Sequence, residues 1–326
     1  MSSNTNSSSS SILSKCAACG KGGDNLKVCT TCEQVCYCNA KCRNSHRSKH
    51  KKACKQYAAE IRNKKDALRA EVDAISEKLS KIEISDEELF ADPPPRDDCD
   101  ICFLPLPYDI RACGLVTVYQ SCCGKTLCYG CMSASNDEMN KGNMKRCCPY
   151  CRVPLPSSDN EDIQRVKKRM ELNDANAFYE IACWYYHGKK GLPQDNRKAF
   201  ELFNRGAWLG SVGSHCALVS AYLNGEEVEK DDEKALHHLM LAAIRGSEMA
   251  RHILGNEEEN WGNMDRAMKH FKIGARTGYD DSLNKIREGY KAGYMTKDEY
   301  ASTLRAHQHC RDEMKSEQRT VAEESR

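Results

Sequence analysis

The most regular hydrophobic pattern along this chain lies in its second half, and it repeats. Lys198-Ala199-Phe200, Lys234-Ala235-Leu236 and Arg266-Ala267-Met268 stand 36 and 32 residues apart, and Gly210, Gly246 and Gly278 follow at the same two steps. Asp195 and Asp231 hold the matching place before the first two of these triplets. A first helix in each unit carries Ala177, Ile181 and Trp184, or Ala217, Leu218 and Tyr222. A second carries Phe200, Phe203 and Ala207, or Leu236, Leu239 and Ala243. These are helical spacings. The alanines let paired helices approach closely, and the glycines suit the left-handed turn that ends a helix. One such hairpin cannot bury its apolar face alone, so the units must stack.

A second helical pattern covers Lys55 to Leu89, where Ile61, Leu68, Val72, Ile75, Leu79 and Ile82 recur among charged residues. It predicts a charged spacer helix, with too few heptads for a coiled coil. Pro93-Pro94-Pro95 is expected to end it, because proline lacks the amide and clashes with the preceding turn. Thr296 to His309 predicts a capping helix after the repeats.

Composition changes the picture of the first half. Of 21 cysteines in 326 residues, all but Cys183, Cys216 and Cys310 lie between Cys16 and Cys151. Met1 to Ser11 is nearly all Ser and Asn, so residues 1–14 read as a disordered tail. That start lacks the basic flank and apolar run of a secretory signal. No stretch approaches the roughly 20 apolar residues that span a bilayer. We therefore expect an intracellular, reducing setting (cytoplasm or nucleus), no membrane, and cysteines that hold metal rather than pair in disulfides. Aromatic residues at 7% and charged residues at 29% argue against one large core, and a net charge of +2 points neither to nucleic acid nor to lipid.

The first cluster reads Cys16-x2-Cys19, Cys29-x2-Cys32, Cys38-x3-Cys42 and His50-x3-Cys54. A C-x2-C pair sets two thiolates on one tight turn at the bite a tetrahedral ion needs, and an x3 spacing sets two ligands on one helical face. Cys36 and His46 are surplus to eight ligands. Lys41 to Lys55 carries seven basic residues and no acid, and reads as a solvated helix face rather than a phosphate-binding one. The spacing over 16–54 resembles the MYND-type zinc finger. That resemblance implies interleaved sites, Cys16, Cys19, Cys38 and Cys42 on one ion and Cys29, Cys32, His50 and Cys54 on the other. It also implies a groove for proline-containing peptides, but Arg43 and Arg47 stand where the family usually has Gln and Trp.

The second cluster reads Cys99-x2-Cys102, Cys122-Cys123, Cys128-x2-Cys131 and Cys148-x2-Cys151, with Cys113 and Cys147 spare. Its order and gaps resemble a RING-type finger in an all-cysteine form. The resemblance implies a cross-brace, with Cys99, Cys102, Cys128 and Cys131 on one ion and Cys122, Cys123, Cys148 and Cys151 on the other. Lys125 occupies the place of a common histidine ligand. Ile101, Pro149 and Arg152 match the family's contacts for a ubiquitin-conjugating enzyme, while Met132 to Arg146 has no aromatic where many active members place one. Which of Cys113, Cys122, Cys123 and Cys147 ligate stays open.

Residues from about 174 to 295 resemble Sel-one-like repeats, relatives of the tetratricopeptide arrays. Gly225-Glu226-Glu227-Val228-Glu229-Lys230-Asp231 matches the family's loop and Ala242-Ala243-Ile244-Arg245-Gly246 its repeat end; the third unit has Glu257-Glu258-Glu259 in place of the loop.

The expected fold is mainly α, two small cross-brace zinc modules followed by an α-helical repeat solenoid. The expected boundaries are a tail to residue 14, fingers at 15–55 and 96–155 with a helical linker at 56–92 between them, repeats at 170–295 and a capping helix with tail at 296–326. No phosphate loop or nucleophile arrangement is present, and the histidines of 237–309 lack carboxylates at a motif spacing. The chain is expected to carry four zinc ions and to act as a scaffold docking protein partners. The alternative is a ubiquitin ligase whose second finger recruits a conjugating enzyme and whose repeats select substrate.

Overall fold

The computed structural model describes residues 15–22, 26–32, 34–106 and 117–324, without the side chains of Lys65 and Leu68. The Ser/Asn tail and Cys113 lie outside the described residues. The chain divides into two compact units, Met1–Ala74 and Ile75–Arg326.

In the first unit, strand β1 (Lys27–Val28) pairs antiparallel with β2 (Cys36–Tyr37), Lys27 opposite Tyr37 and Val28 opposite Cys36. Helix α1 (Ala40–Ser80) follows. It starts well before the expected Lys55, because both x3 ligand pairs of the first cluster lie on it and Asn39 caps it by accepting the Cys42 amide at 2.9 Å.

The expected helix through to Leu89 is broken. α1 stops at Ser80, and Ser85 opens a separate short helix, α2 (Asp86–Leu89), through a reciprocal capping box with Glu88. The proline triplet lies beyond both. Local side chain to backbone bonding at Ser85 and the β-branched Ile82 and Ile84 outcompete continuation. Nor is the stretch from Ile75 a free spacer. Ile75, Leu79 and Leu89 are buried in the same core as the repeats, His237 Nε2 lies 2.6 Å from the Leu79 carbonyl, and Ser76 hydrogen-bonds Tyr222. Further on, Arg251 donates to the Leu89 carbonyl and Arg96 pairs with buried Glu248 at 2.6 Å.

The second unit continues with an antiparallel pair, β3 (Thr117–Tyr119) and β4 (Thr126–Cys128), and helix α3 (Tyr129–Lys141). Helix α4 (Asp159–Glu171), capped by Ser158, fills most of the span between the expected end of the second finger at 155 and the expected start of the repeats at 170. The array then runs as helical pairs: α5 (Ala175–His187) with α6 (Asn196–Trp208), α7 (Val212–Asn224) with α8 (Asp232–Ile244), and α9 (Glu248–Asn260) with α10 (Met264–Arg276). Helices α11 (Asp280–Lys291), α12 (Lys297–Glu313) and α13 (Glu317–Glu324) complete it.

The repeat chemistry acts as its spacing predicts. Ala199, Ala207, Ala235, Ala243, Ala267 and Ala275 are buried where helices meet. Gly210, Gly246 and Gly278 have φ of 97°, 103° and 86°, a conformation that penalises any Cβ. Asp195 and Asp231 cap α6 and α8 by accepting the amides of Lys198 and Lys234 at 2.9 Å. The third unit departs in a compensated way. Asn263 makes no capping bond, and buried Glu258 instead accepts from Asn263 and from Arg266 at 2.9 and 2.7 Å.

Candidate metal centres

Each cysteine cluster is built from short hairpin knuckles whose backbone is nearly interchangeable. The residue after the second cysteine lies in the left-handed region at Gly20, Phe103 and Arg152, with φ of 72°, 56° and 62°. Its amide donates to the carbonyl of the first cysteine, Cys16, Cys99 or Cys148, at 2.8–2.9 Å. The first cysteine's own amide donates across the hairpin, to Lys21, Leu104 or Val153. A fourth knuckle of the same form has Gln120 in the first-cysteine place, with Cys123 and Gly124 after it. That register explains the Cys122-Cys123 doublet. Only Cys123 occupies a knuckle position, and its neighbour Cys122 supplies the donor that Gln120 cannot.

The side chains converge in four groups: Cys16, Cys19, Cys38 and Cys42; Cys29, Cys32, His50 and Cys54; Cys99, Cys102, Cys128 and Cys131; Cys122, Cys123, Cys148 and Cys151. Within each group the donor atoms lie within 4.8 Å of one another. Sulfur separations include 3.3 Å for Cys38–Cys42, 3.9 Å for Cys29–Cys54 and for Cys102–Cys128, and 3.3 Å for Cys122–Cys151. Four thiolates at about 2.3 Å from a tetrahedral ion stand roughly 3.8 Å apart, so these spacings fit zinc. His50 presents Nε2 to Cys32 Sγ at 3.2 Å.

Proton affinities bear on the same fit. Burial opposes ionisation of Cys16, yet amides of Cys38, Cys19 and Ala18 bring its thiol down to about 6. Its neighbour Cys42 is pushed up to about 12, first by the hydrogen bond with Cys38. Cys99 falls to about 4, led by its bond with Cys128, while Cys128 is raised by the same bond and by burial. Such a group carries one negative charge readily and resists the next, unless a cation stands among the sulfurs. Zinc would supply that cation and lock the knuckles together, a structural rather than a reactive role, since each set is closed at four donors.

The surplus residues have other partners. Cys36 donates to the Lys15 carbonyl at 3.1 Å, His46 bonds the Tyr37 hydroxyl and stacks on His50, and Cys147 lies against Met139. Lys125 binds Asp100 at 3.2 Å and lies over the Tyr150 ring, tying the first knuckle of the second cluster to the last. All seven basic side chains between Lys41 and Lys55 are exposed, Arg43 and Arg47 among them.

Of the three positions matched to a conjugating-enzyme contact, Ile101 and Arg152 are exposed and Pro149 is buried. Sequence reasoning missed Phe103 and Tyr150, which expose 75% and 44% of their surface on the same two knuckles as Ile101 and Pro149. The readable signal was an aromatic inside or just after a C-x2-C pair.

The histidines of the repeats are structural. His215 and His238 face each other through Nδ1 at 3.1 Å in the core, and burial drives them down to about 2 and about 3. His307 and His309 do reach carboxylates, Asp280 at 3.1 Å and Glu313 at 3.4 Å.

Comparison with known proteins places two of these regions. Residues 16–54 match the MYND finger model, and residues 175–211 and 215–247 match the Sel1 repeat. Chitin synthase regulatory factor 4 of Schizosaccharomyces pombe is 22% identical over 135 residues, 41% of this chain and 21% of that protein. An Arabidopsis thaliana protein, ERAD-associated E3 ubiquitin-protein ligase component HRD3A, is 32% identical over 91 residues, 28% of this chain and 12% of that one. The chain thus spans about a fifth or less of the curated relatives it matches. Among solved structures, a protective antigen of uropathogenic Escherichia coli with an SLR fold aligns at TM-score 0.38 and 24% identity, covering 47% of this chain and 33% of that one. A Sel1 repeat protein from Oxalobacter formigenes aligns at 0.36 and 22%, covering 39% and 98%.

The protein therefore carries a MYND finger and Sel1 repeats in a mainly helical fold, with cysteine and histidine clusters suited to zinc. That combination supports a protein-interaction scaffold. Among the described residues no helix is long and apolar enough to cross a membrane.

Proposed function

We propose that the protein is a zinc-organised scaffold for protein partners, holding four zinc ions, two in each cysteine cluster. The observation that supports it most directly is the convergence of sixteen predicted ligands into four closed sets of four, with none left over for a substrate. Closed tetrahedral sites give shape to short polar segments and do no bond chemistry. Partner capture then falls to surfaces, the concave side of the repeats and the exposed knuckles. Native mass spectrometry of the full chain should find four zinc ions. Fewer than four would sink the stoichiometry.

A second reading makes the second cluster a RING-type cross-brace that recruits a charged ubiquitin-conjugating enzyme. Exposed Ile101, Phe103 and Tyr150 on its two knuckles favour it. So does the similarity to the Arabidopsis protein described as a ubiquitin-ligase component. Buried Pro149 weighs against it. Such a module catalyses only by orienting the thioester. Autoubiquitination with a panel of conjugating enzymes separates the readings. If activity appears, Ile101→Ala should abolish most of it; activity untouched by Ile101→Ala and Arg152→Ala would exclude this route.

A further inference from the structure

The last helix of the chain ends on the second cysteine cluster, more than 180 residues away in sequence. Helix α13 packs along α3 so closely that a Cβ on Gly130 would meet the Arg319 backbone at 2.8 Å. From α13, Arg319 reaches under the first knuckle. Its guanidinium donates to Cys102 Sγ at 3.5 Å and to the carbonyls of Leu104, Pro105 and Met314 at 3.1, 2.9 and 2.8 Å. Arg319 is 2% exposed, and none of these partners is a carboxylate. A buried cation with only neutral acceptors is costly, and buried charges are paired. Among the described residues it bonds, Cys102 belongs to the group Cys99, Cys102, Cys128 and Cys131, which can supply the counter-charge. Coordination deprotonates thiols outright, so four of them around a divalent ion leave a net charge of −2 in that group.

We propose that Arg319 is a positioning residue for the metal in this site, and that docking of the C-terminal helix is coupled to metal occupancy. The guanidinium offsets the excess negative charge of the tetrathiolate while its other bonds hold the Leu104–Pro105 side of the knuckle in place. Coupling of this kind is reciprocal: what α13 contributes to metal retention, the metal contributes to α13 docking. Residues beyond a metal's ligands commonly change its affinity by about 10–100-fold.

This inference rests on the second cluster being a zinc site, so the native mass of the wild-type protein is read first. Zinc missing there defeats that reading; zinc present with an indifferent Arg319 defeats only this one. The test follows transfer of zinc from the full-length protein to a chromogenic chelator. Arg319→Met should speed the release of one equivalent by about 10–100-fold and leave the other three unchanged. Arg319→Lys, which keeps the charge and loses the fork, should recover part of the loss; a purely packing role would leave Lys and Met alike. In the reverse direction, Cys99→Ser should raise amide exchange across 317–324 while α5 to α8 keep their protection, which also shows that the variant has folded. Release from Arg319→Met at the wild-type rate, or unchanged exchange at 317–324 in Cys99→Ser, would overturn the proposal.

Discussion

The two cysteine clusters share a knuckle and, His50 apart, the same kind of donor, yet they are supported differently. The first has two short strands, one of them exposed, and one helix to brace it, and its buried positions are chiefly the ligands themselves with Cys36 and Tyr37. The second stands on a core of Leu106, Leu127 and Met132. It is also bonded to the helices on either side of the repeats and to their start: Tyr119 donates to Asp174 at 2.8 Å, Ser121 to Asp162 at 2.7 Å, and α13 closes over α3. A ligand pattern therefore says that metal is held and not how much of the fold depends on it. That dependence is set by what surrounds the cluster.

Exhaustive chelation should break the comparison open most widely. With apparent metal contributions of about 10–16 kcal/mol for small structural sites, residues 15–54 are expected to lose all amide protection. The repeats α5 to α8 should keep theirs, because their cores contain no ligand. Hydrogen exchange with mass readout checks this directly. A first cluster that stays protected after complete metal removal would show that it folds without zinc.

Leu127 offers the next largest effect. It is fully buried in a core with Cys99, Cys128 and Cys131 of the second cluster, and Leu127→Ala should cost about 2–5 kcal/mol. The loss should appear in denaturant unfolding of the second unit, with the first cluster's zinc release unaltered. Equal disturbance of both clusters would contradict their separate support.

Acidification should separate the units next. His215 and His238 have proton affinities depressed by burial, below an unfolded value of about 6.5. A depressed histidine contributes stability that is intact above the unfolded value and is lost as pH falls, since the unfolded chain then binds more protons. Between pH 6.5 and 5.5 the pair should remove roughly 2 kcal/mol from the repeats. The carboxylates held low, Glu161 and Glu299 at about 2, act only at still lower pH. His238→Gln should flatten the dependence of melting temperature on pH in that window, and an unchanged slope would refute the assignment.

Much of this architecture was legible in the chain, for identifiable reasons. Ligand spacing is dictated by the metal's bite, so the C-x2-C and x3 pairs, His50 with Cys54 among them, could be read along the chain; their grouping into sets of four came only from the resemblance to the two finger families, and the choice among Cys113, Cys122, Cys123 and Cys147 stayed open. Repeat geometry is dictated by helix contact, so Ala199, Ala235 and Ala267 announced themselves by period. The linker did not. Its Ile75, Leu79 and Leu89 follow a helical spacing whichever surface they meet, and nothing in a one-dimensional pattern names the repeats as that surface. Helix α13 was hidden for the same reason: Arg319 looks like any tail arginine until its partners more than 200 residues earlier are in view.

The smallest expected effect sharpens the ligase question as well as the comparison. Arg152 sits at φ 62° because the knuckle turns there, and the equivalent place in the first cluster is Gly20 at φ 72°. A non-glycine residue pays roughly 1 kcal/mol or more for that conformation, and Ala at 152 would pay it too. Arg152→Gly should therefore leave the second unit as stable as the wild type or more stable by up to about 1 kcal/mol, while removing the guanidinium completely. If ubiquitin transfer is observed and survives this variant, Arg152 takes no part in it. If transfer is lost while the melting temperature holds or rises, the loss belongs to the missing side chain and not to a damaged knuckle. A clear drop in stability would mean instead that the exposed arginine makes a contact that its place on the knuckle does not reveal.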